Sequence, residues 1–217
     1  MKRIKIIFIA LTALGCIGIM SGCKKVNEYP SRTVQISFPV VTLNGPQFMT
    51  ISRGGTFTDP GATWKDTVTG EHGNLTMTVN TGKDSAYFLV YTATNKNGFQ
   101  NQTMVFRGVG VTNYSGPLDI SGNYTDNAGN TDSLQLVSRA LFFHPNVDLY
   151  GDPGVMVIKS DSTISVATIK TLVTGTNGAP IPVTFTQDTI YYTSPIYFQY
   201  NVTILNVPPY LAQFQHN

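Results

Sequence analysis

Both of the chain's cysteines fall within its first 23 residues, at Cys16 and Cys23. Nothing beyond them can form a disulfide within a folded body, whose stability must therefore come from burial. Long apolar runs are also lacking. The longest, from Ile6 to Ile19, spans roughly 21 Å as a helix against a hydrocarbon core of roughly 30 Å, which excludes a membrane-spanning helix. Charged residues make up only 12%. The formal charge of +2 includes Lys2, Arg3 and Lys5; without them 11 basic residues face 12 acidic ones, a balance of −1 that gives no electrostatic case for nucleic acid. Histidines are scarce and isolated, at His72, His144 and His216. There is no G-x-S-x-G, H-E-x-x-H, C-x-x-C, phosphate loop or G-x-G-x-x-G. A pair among ten aspartates and two glutamates could be assembled in three dimensions for glycoside chemistry, but nothing in the sequence marks one. The expectation is a non-catalytic protein without a cofactor or metal.

The amino terminus carries an address. Three cations, a short apolar run and the small residues Ser21 and Gly22 describe a cleaved signal peptide over residues 1–22. Met20-Ser21-Gly22-Cys23 resembles the lipobox of bacterial lipoproteins, which implies acylation of Cys23 and anchoring to a membrane. Residues 23–33, beginning Cys23-Lys24-Lys25, lack periodicity and read as the lipidated tether.

From Val34 onwards the pattern is all-β: short runs of Val, Ile, Thr, Tyr and Phe broken by Gly, Pro and Asn, with no sustained helical spacing. Val34, Ile36 and Phe38 alternate with polar residues, as do Leu75, Met77 and Val79. Residues Ala86 to Thr94 are apolar or aromatic almost throughout, as for a strand covered on both faces. Gly54-Gly55, Asp59-Pro60-Gly61 and Asn97-Gly98 mark turns. Some seven short strands over 34–113 predict an immunoglobulin-like sandwich. The stretches Gly55-Thr56-Phe57-Thr58-Asp59-Pro60-Gly61-Ala62, Tyr91-Thr92-Ala93-Thr94-Asn95-Lys96-Asn97-Gly98 and Arg107-Gly108-Val109-Gly110-Val111 resemble bacterial immunoglobulin-like modules. That resemblance implies a spacer or adhesive unit outside the cell.

Residues 113–117 read as a hinge before a second β-domain over 117–217, either an antiparallel barrel or a sandwich. Its strands are predicted near 133–138, 140–144, 155–159, 163–169, 181–186, 188–193 and 196–205, and the tail around His216 reads as frayed. Asp119-Ile120-Ser121-Gly122-Asn123-Tyr124 resembles the opening of small lipocalin-like β-domains in lipoproteins of the Bacteroidetes. There an immunoglobulin-like module often precedes such a domain near polysaccharide-uptake systems.

Asp126, Asn127, Asn130 and Asp132 offer oxygens to calcium without the spacing of an EF-hand loop, and equally describe a hairpin turn. Aromatic residues are the better candidates for ligand contact: Trp64, Phe142, Phe143, Tyr150, Tyr191, Tyr192 and Tyr210. Trp64 reads as either a core anchor or a surface ring. Adjacent pairs on a strand point to opposite faces, so one ring of Phe142-Phe143 and one of Tyr191-Tyr192 leaves a singly buried core. Five of the ten aspartates open Asp-(Ser/Thr)-(aliphatic or Thr) triplets, where composition would give about one. These resemble an O-glycosylation signal of secreted Bacteroidetes proteins, with Thr67, Ser85, Ser133, Ser162 and Thr189 as acceptors; the same triplets also suit a turn entering a strand. The combined expectation is an outer-membrane lipoprotein, on the cell surface rather than the periplasmic face. Its partners would be the membrane through lipid, a glycan, and an outer-membrane transport complex. The alternative is a structural or assembly subunit that docks on such a complex.

Overall fold

The computed structural model describes residues 35–147, 152–168, 173–174, 180–181, 183–191, 196–204 and 209–217. Every regular element among them is a strand. Cys23 and the tether, Tyr150 and Tyr192 lie outside the described residues. Ile36–Asn217 form one unit.

The first body is a two-sheet sandwich. Strands β1 (Val40–Leu43), β3 (Ala62–Lys65) and β4 (His72–Leu75) make one antiparallel sheet in the order β1-β3-β4. Strands β2 (Phe48–Ile51), β6 (Val105–Val111) and β5 (Ser85–Tyr91) make the other, with β2 parallel and β5 antiparallel to the central β6. Between the sheets lie Val41, Ala62, Leu89, Tyr91, Ala93 and Val109, with Phe57 and Trp64 packed against them. Trp64 is thus a core anchor of the sandwich. Met77 and Val79 join the same core although β4 ends at Leu75, so their alternation holds beyond the strand.

At the centre of the sandwich an ion pair is sealed from water. Arg107 is 0% exposed, and its Nε stands 3.1 Å from Asp59 Oδ1 and donates to Tyr91 Oη at 3.2 Å. The remaining guanidinium donors reach the carbonyls of Asn44, Pro46 and Gly61. Asp59 also accepts from the Tyr91 hydroxyl and from the backbone N–H groups of Gly61 and Met77. Burial alone would raise the Asp59 pKa, but these hydrogen bonds and the Arg107 charge outweigh it and hold it below the usual value. The Asp-Pro-Gly, Tyr and Arg positions of the sequence signature are therefore parts of one buried network. Gly61 adopts a φ of 75°, and a side chain there would meet the Leu75 carbonyl.

One sequence expectation is inverted at the entry to this body. Ile36, Phe38 and Val40 point outward, while Ser37, Pro39 and Val41 point in. A buried hydrogen-bond hub explains the inversion. The Ser37 hydroxyl donates to Asp66 Oδ2 at 2.8 Å, and Asn95 Nδ2 donates to the same oxygen at 2.7 Å and to the Ser37 carbonyl at 2.9 Å.

The second body is a closed barrel of eight antiparallel strands, which resolves the choice between barrel and sandwich. In chain order it runs β7 (Gly122–Asp126), β8 (Thr131–Ser138), β9 (Leu141–His144), β10 (Gly154–Ser160) and β11 (Thr163–Thr168). A small hairpin of β12 (Val173–Thr174) and β13 (Pro180–Ile181) comes next. The barrel continues with β14 (Val183–Tyr191), β15 (Tyr197–Ile204) and β16 (Tyr210–His216), which pairs with β7. Two sequence expectations change here. Runs predicted as separate strands at 181–186 and 188–193 are one strand, β14, with a register shift between Thr186 and Thr189. The tail read as frayed is β16, the strand that closes the barrel.

The opening motif of this domain has a structural cause. Asp119 accepts from the Ser121 N–H, Ile120 enters the core, and the buried Tyr124 donates its hydroxyl to the Ile120 carbonyl at 2.6 Å. Gly122 takes a φ of 148° beneath the His216 ring, where a Cβ would collide with it. An eight-stranded barrel has an interior that side chains can fill. Here Tyr124, Phe198, Tyr200 and Phe214 occupy it, with ring centroids 4.9 Å apart for Tyr124–Phe198 and 5.0 Å for Phe198–Phe214.

The segment expected to be a hinge is tied on both sides. Thr112 Oγ1 donates to the Ile158 carbonyl, Tyr114 Oη to Asp161, and Asn113 accepts from the Arg53 N–H. The β2-β6-β5 sheet lies against the outside of β9, β10 and β11, burying Ala86, Leu141, Val155 and Val157 beneath Phe48, Phe88 and Phe143. Thus β5 is covered on both faces, its second cover being the barrel. Contact is close because β6 presents glycines. A Cβ at Gly110 would stand 2.9 Å from Val157 and 3.1 Å from Leu141, and one at Gly108 would stand 2.6 Å from Val155. A Gly110→Leu variant is therefore expected to lose about 1–3 kcal/mol, as an overpacked interior does. Urea denaturation followed by separate probes in the two bodies checks this, with their transitions coinciding in the parent and separating in the variant.

Candidate functional site

Strands β15 and β16, with the end of β14 from Thr189, divide their described side chains between two faces. Ile190, Phe198, Tyr200, Val202, Ala212 and Phe214 are buried in the lumen. Their neighbours must face outward. Strand register then arranges these outward residues in rows. Tyr191 pairs with Tyr197, Tyr197 with Gln215 and Gln215 with Thr125; Thr189 pairs with Gln199 and Gln199 with Gln213; Asn201 pairs with Leu211.

The two tyrosine rings stack, with centroids 4.5 Å apart and an interplanar angle of 11°. Gln199 Nε2 donates to the Tyr191 hydroxyl at 3.1 Å, which fixes both groups. The amides of Gln213 and Gln215 make no hydrogen bond to another described side chain. Residues 189–217 contain no Asp, Glu, Lys or Arg, so the rows from Thr189 and Tyr191 across β15 and β16 present rings, amides and hydroxyls, with Asp188 and Lys159 at their β14 border. The sandwich covers the β9–β11 side and leaves β14–β16 uncovered. Beyond Gln215 the face meets a polar cleft of about 500 Å³ lined by Asn123, Thr131, Asp132, Ser133 and Asn217, where Thr125 Oγ1 donates to Asn217 Oδ1 at 2.6 Å.

Of the aromatic candidates, Tyr191 belongs to this face. Phe142 and Phe143 do separate to opposite sides of their strand, but neither is available: Phe142 fills the lumen, and Phe143 is covered by Phe48 at 5.5 Å. Both therefore take packing positions, and Trp64 takes the core-anchor position that was one of its two readings. Tyr210 opens β16 opposite Val202. Sequence reading missed Tyr197, Gln199, Gln213 and Gln215. The available signal was period-two alternation combined with a long stretch free of charge.

The Asp126 region is a hairpin turn. Asp126 Oδ1 accepts from the N–H groups of Ala128 and Asn130, and Oδ2 from the Asn130 side chain. Burial would raise its pKa, and these hydrogen bonds instead lower it. Among the described residues no group of three His, Cys, Asp or Glu could hold a metal.

Four of the five aspartates that open the acceptor triplets have hydrogen-bond or ion-pair partners. Asp66 accepts from Val68 and Thr69, Asp84 pairs with Arg53 at 3.2 Å, Asp132 accepts from Ser133, and Asp161 accepts from Tyr114. Thr67 and Ser162 are exposed, whereas Ser85, Ser133 and Thr189 are half-buried.

Below the polar cleft, His144 is buried with Nδ1 3.4 Å from Asp132 Oδ2. Burial pushes its pKa from 6.5 down to about 4, against the opposing pull of the Asp132 charge. The unfolded chain therefore takes up this proton at higher pH than the folded one. The contribution of this group to stability is therefore greatest above pH 6.5 and falls as pH drops towards 4. Asp188, raised to about 6 by burial against the pull of Lys159, acts in the opposite sense over the same range. Comparing acid unfolding of His144→Gln with the parent isolates the histidine. Relative to the parent, the variant is expected to become progressively more stable as pH falls from 6.5 to 4, because only the Asp188 contribution remains.

The fold defines an all-β protein in which an immunoglobulin-like sandwich is fused to a closed eight-stranded barrel. The family model for the bacterial surface protein Ig-like domain matches residues 41–111. That match supports a cell-envelope location. Among solved structures, the lipoprotein BT2262 from Bacteroides thetaiotaomicron is similar at 18% identity and a TM-score of 0.35, over 83% of this chain and 100% of that one. The curated proteins contain no match.

Proposed function

We propose that the chain is a non-catalytic lipoprotein of the outer membrane, anchored through Cys23 and facing the outside of the cell, that binds a neutral carbohydrate on the outer face of β14–β16. The observation that carries this reading is the uncharged array of stacked tyrosines and amides. Sugar C–H faces pack on flat rings, while amides both donate to and accept from hydroxyls. The barrel lumen is occupied by its own aromatic rings, which directs a ligand to the outer surface. A glycan bearing carboxylates or sulfates would lose hydration against rows whose residues 189–217 include no Lys or Arg, so they favour neutral chains.

Affinity electrophoresis of the mature chain tests this reading. Gels containing neutral polysaccharides are expected to retard it, and gels containing polyuronates are not. Equal mobility in every gel would remove the proposal. The anchor is tested separately: palmitate labelling is expected for the precursor and not for Cys23→Ala.

A further inference from the structure

We propose that the tip of the sandwich formed by Ile36, Phe38, Val40, Val68 and Met104 rests on the phospholipid bilayer that holds the lipid anchor; this rests on the reading of Cys23 as acylated. Five of the seven large hydrophobic side chains exposed among the described residues gather at this tip, with Ile36 69% and Val40 58% exposed. Phe38 meets Phe99 edge-on at 5.5 Å, and a groove of about 290 Å³ runs along Phe38, Pro39 and Val40 towards Gln102 and Thr103, immediately before Met104. Val68 belongs to the loop that Asp66 ties to Ser37.

The position of the tip identifies its occupant. Strand β6 runs from Val105, beside Met104, to Val111, from which the chain passes on to the barrel. The apolar end is therefore the end remote from that connection, and it is where the tether joins. From Cys23 to Gln35 is twelve residues, which reach about 40 Å when fully extended and span about 20 Å as a flexible coil. A tip held that close to a bilayer meets it as an intramolecular partner, so weak insertion suffices.

Charge agrees with an anionic lipid surface. Exposed Lys65 lies opposite Val40 in the register, and exposed Lys96 comes directly after Asn95 of the hub. Lys24 and Lys25 adjoin the anchor itself. The neighbouring acids are engaged internally: Asp66 is buried in the hub, and Glu71 accepts from the Lys96 backbone N–H. Because the hub already fixes residues 37–40, insertion orders nothing new. Apolar tips between basic side chains are suited to the boundary of headgroups and acyl chains.

The test uses the full lipidated chain in vesicles of phosphatidylcholine and phosphatidylglycerol with brominated acyl chains. A Phe38→Trp reporter in a Trp64→Phe background gives a single indole at the tip, and Leu136→Trp in the same background gives one on the barrel. The tip reporter is expected to emit to the blue of its value in detergent-free water and to lose intensity on bromination, while the barrel reporter does neither. Lys65→Gln with Lys96→Gln is expected to weaken the quenching in anionic vesicles. A chain that sediments with vesicles yet keeps an unquenched, iodide-accessible tip reporter overturns the proposal alone. A blue-shifted but unquenched tip also overturns it, in favour of a protein cover. A chain that does not sediment removes the anchor, and the bilayer contact with it.

Discussion

Arg107→Met is expected to destabilise the protein by about 3–5 kcal/mol, the cost of removing one partner from a buried ion pair. In a chain of this size that lowers the melting temperature by on the order of 10 °C. The substitution strands a carboxylate that is only 2% exposed by side chain, together with the carbonyls of Asn44, Pro46 and Gly61 that the guanidinium satisfied. Asp59→Ala would leave a guanidinium held by neutral carbonyls alone and would also strand the N–H groups of Gly61 and Met77 that the carboxylate accepts from. Asp59→Ala should therefore be the more damaging of the two single variants. Thermal denaturation of both singles and of the double variant checks the order. A double variant less damaged than the sum of the singles shows that the loss comes from the unpaired partner. Because the sandwich and barrel share a packed face, the loss is expected in the global transition.

Tyr197→Ala carries the second large expectation: at least a tenfold loss of affinity for a neutral glycan, about 1.4 kcal/mol or more, with the fold unchanged. The ring lies at the centre of its row, stacked on Tyr191 on one side and opposite Gln215 on the other. Removing it takes away one stacking surface and releases the Tyr191 ring that it orients. Gln213→Ala should cost less, in keeping with a single hydrogen bond of about 0.5–1.5 kcal/mol. Both side chains point away from the lumen, so far-ultraviolet circular dichroism and the melting temperature should stay near those of the parent. Titration calorimetry with a neutral oligosaccharide provides the comparison.

The all-β class was legible because strand patterning is local: Val, Ile, Thr and Tyr in short alternating runs, punctuated by turns such as Asp59-Pro60-Gly61. Barrel closure was not, because it depends on Tyr210–His216 returning to β7, and Ala212 and Phe214 give that strand only a thin apolar face among Leu211, Gln213, Gln215 and His216. Ile36 and Phe38 misled for the opposite reason. Period-two apolarity normally marks the buried face, but here the Ser37–Asp66–Asn95 hub places the polar residue inside. The interface of sandwich and barrel was equally hidden. Gly108 and Gly110 stand in the sequence only as residues of the closing strand motif, and the fold alone shows that Val155 and Val157 occupy the room they leave.

The candidate site was partly readable. One ring of Tyr191-Tyr192 was expected to leave the core, but the partners of Tyr191 are separated from it in sequence and brought to it by strand register. The charge-free stretch of residues 189–217 was visible in the sequence but gained meaning only when alternation assigned Gln199, Gln213 and Gln215 to the same face as the tyrosines. Conversely, Phe142 and Phe143 satisfied the rule that adjacent strand residues diverge, and both proved to be packed because a second body covers the outside of β9.

Hydrogen-exchange protection of the mature chain with and without a saturating neutral polysaccharide bears most directly on the ligand site. New protection is expected in β14, β15 and β16, centred on the segments containing Tyr191, Tyr197 and Gln213, with the sandwich strands unchanged. Protection confined to β1–β6, or no change anywhere while the polysaccharide is bound, would contradict the assignment of the binding face to the barrel.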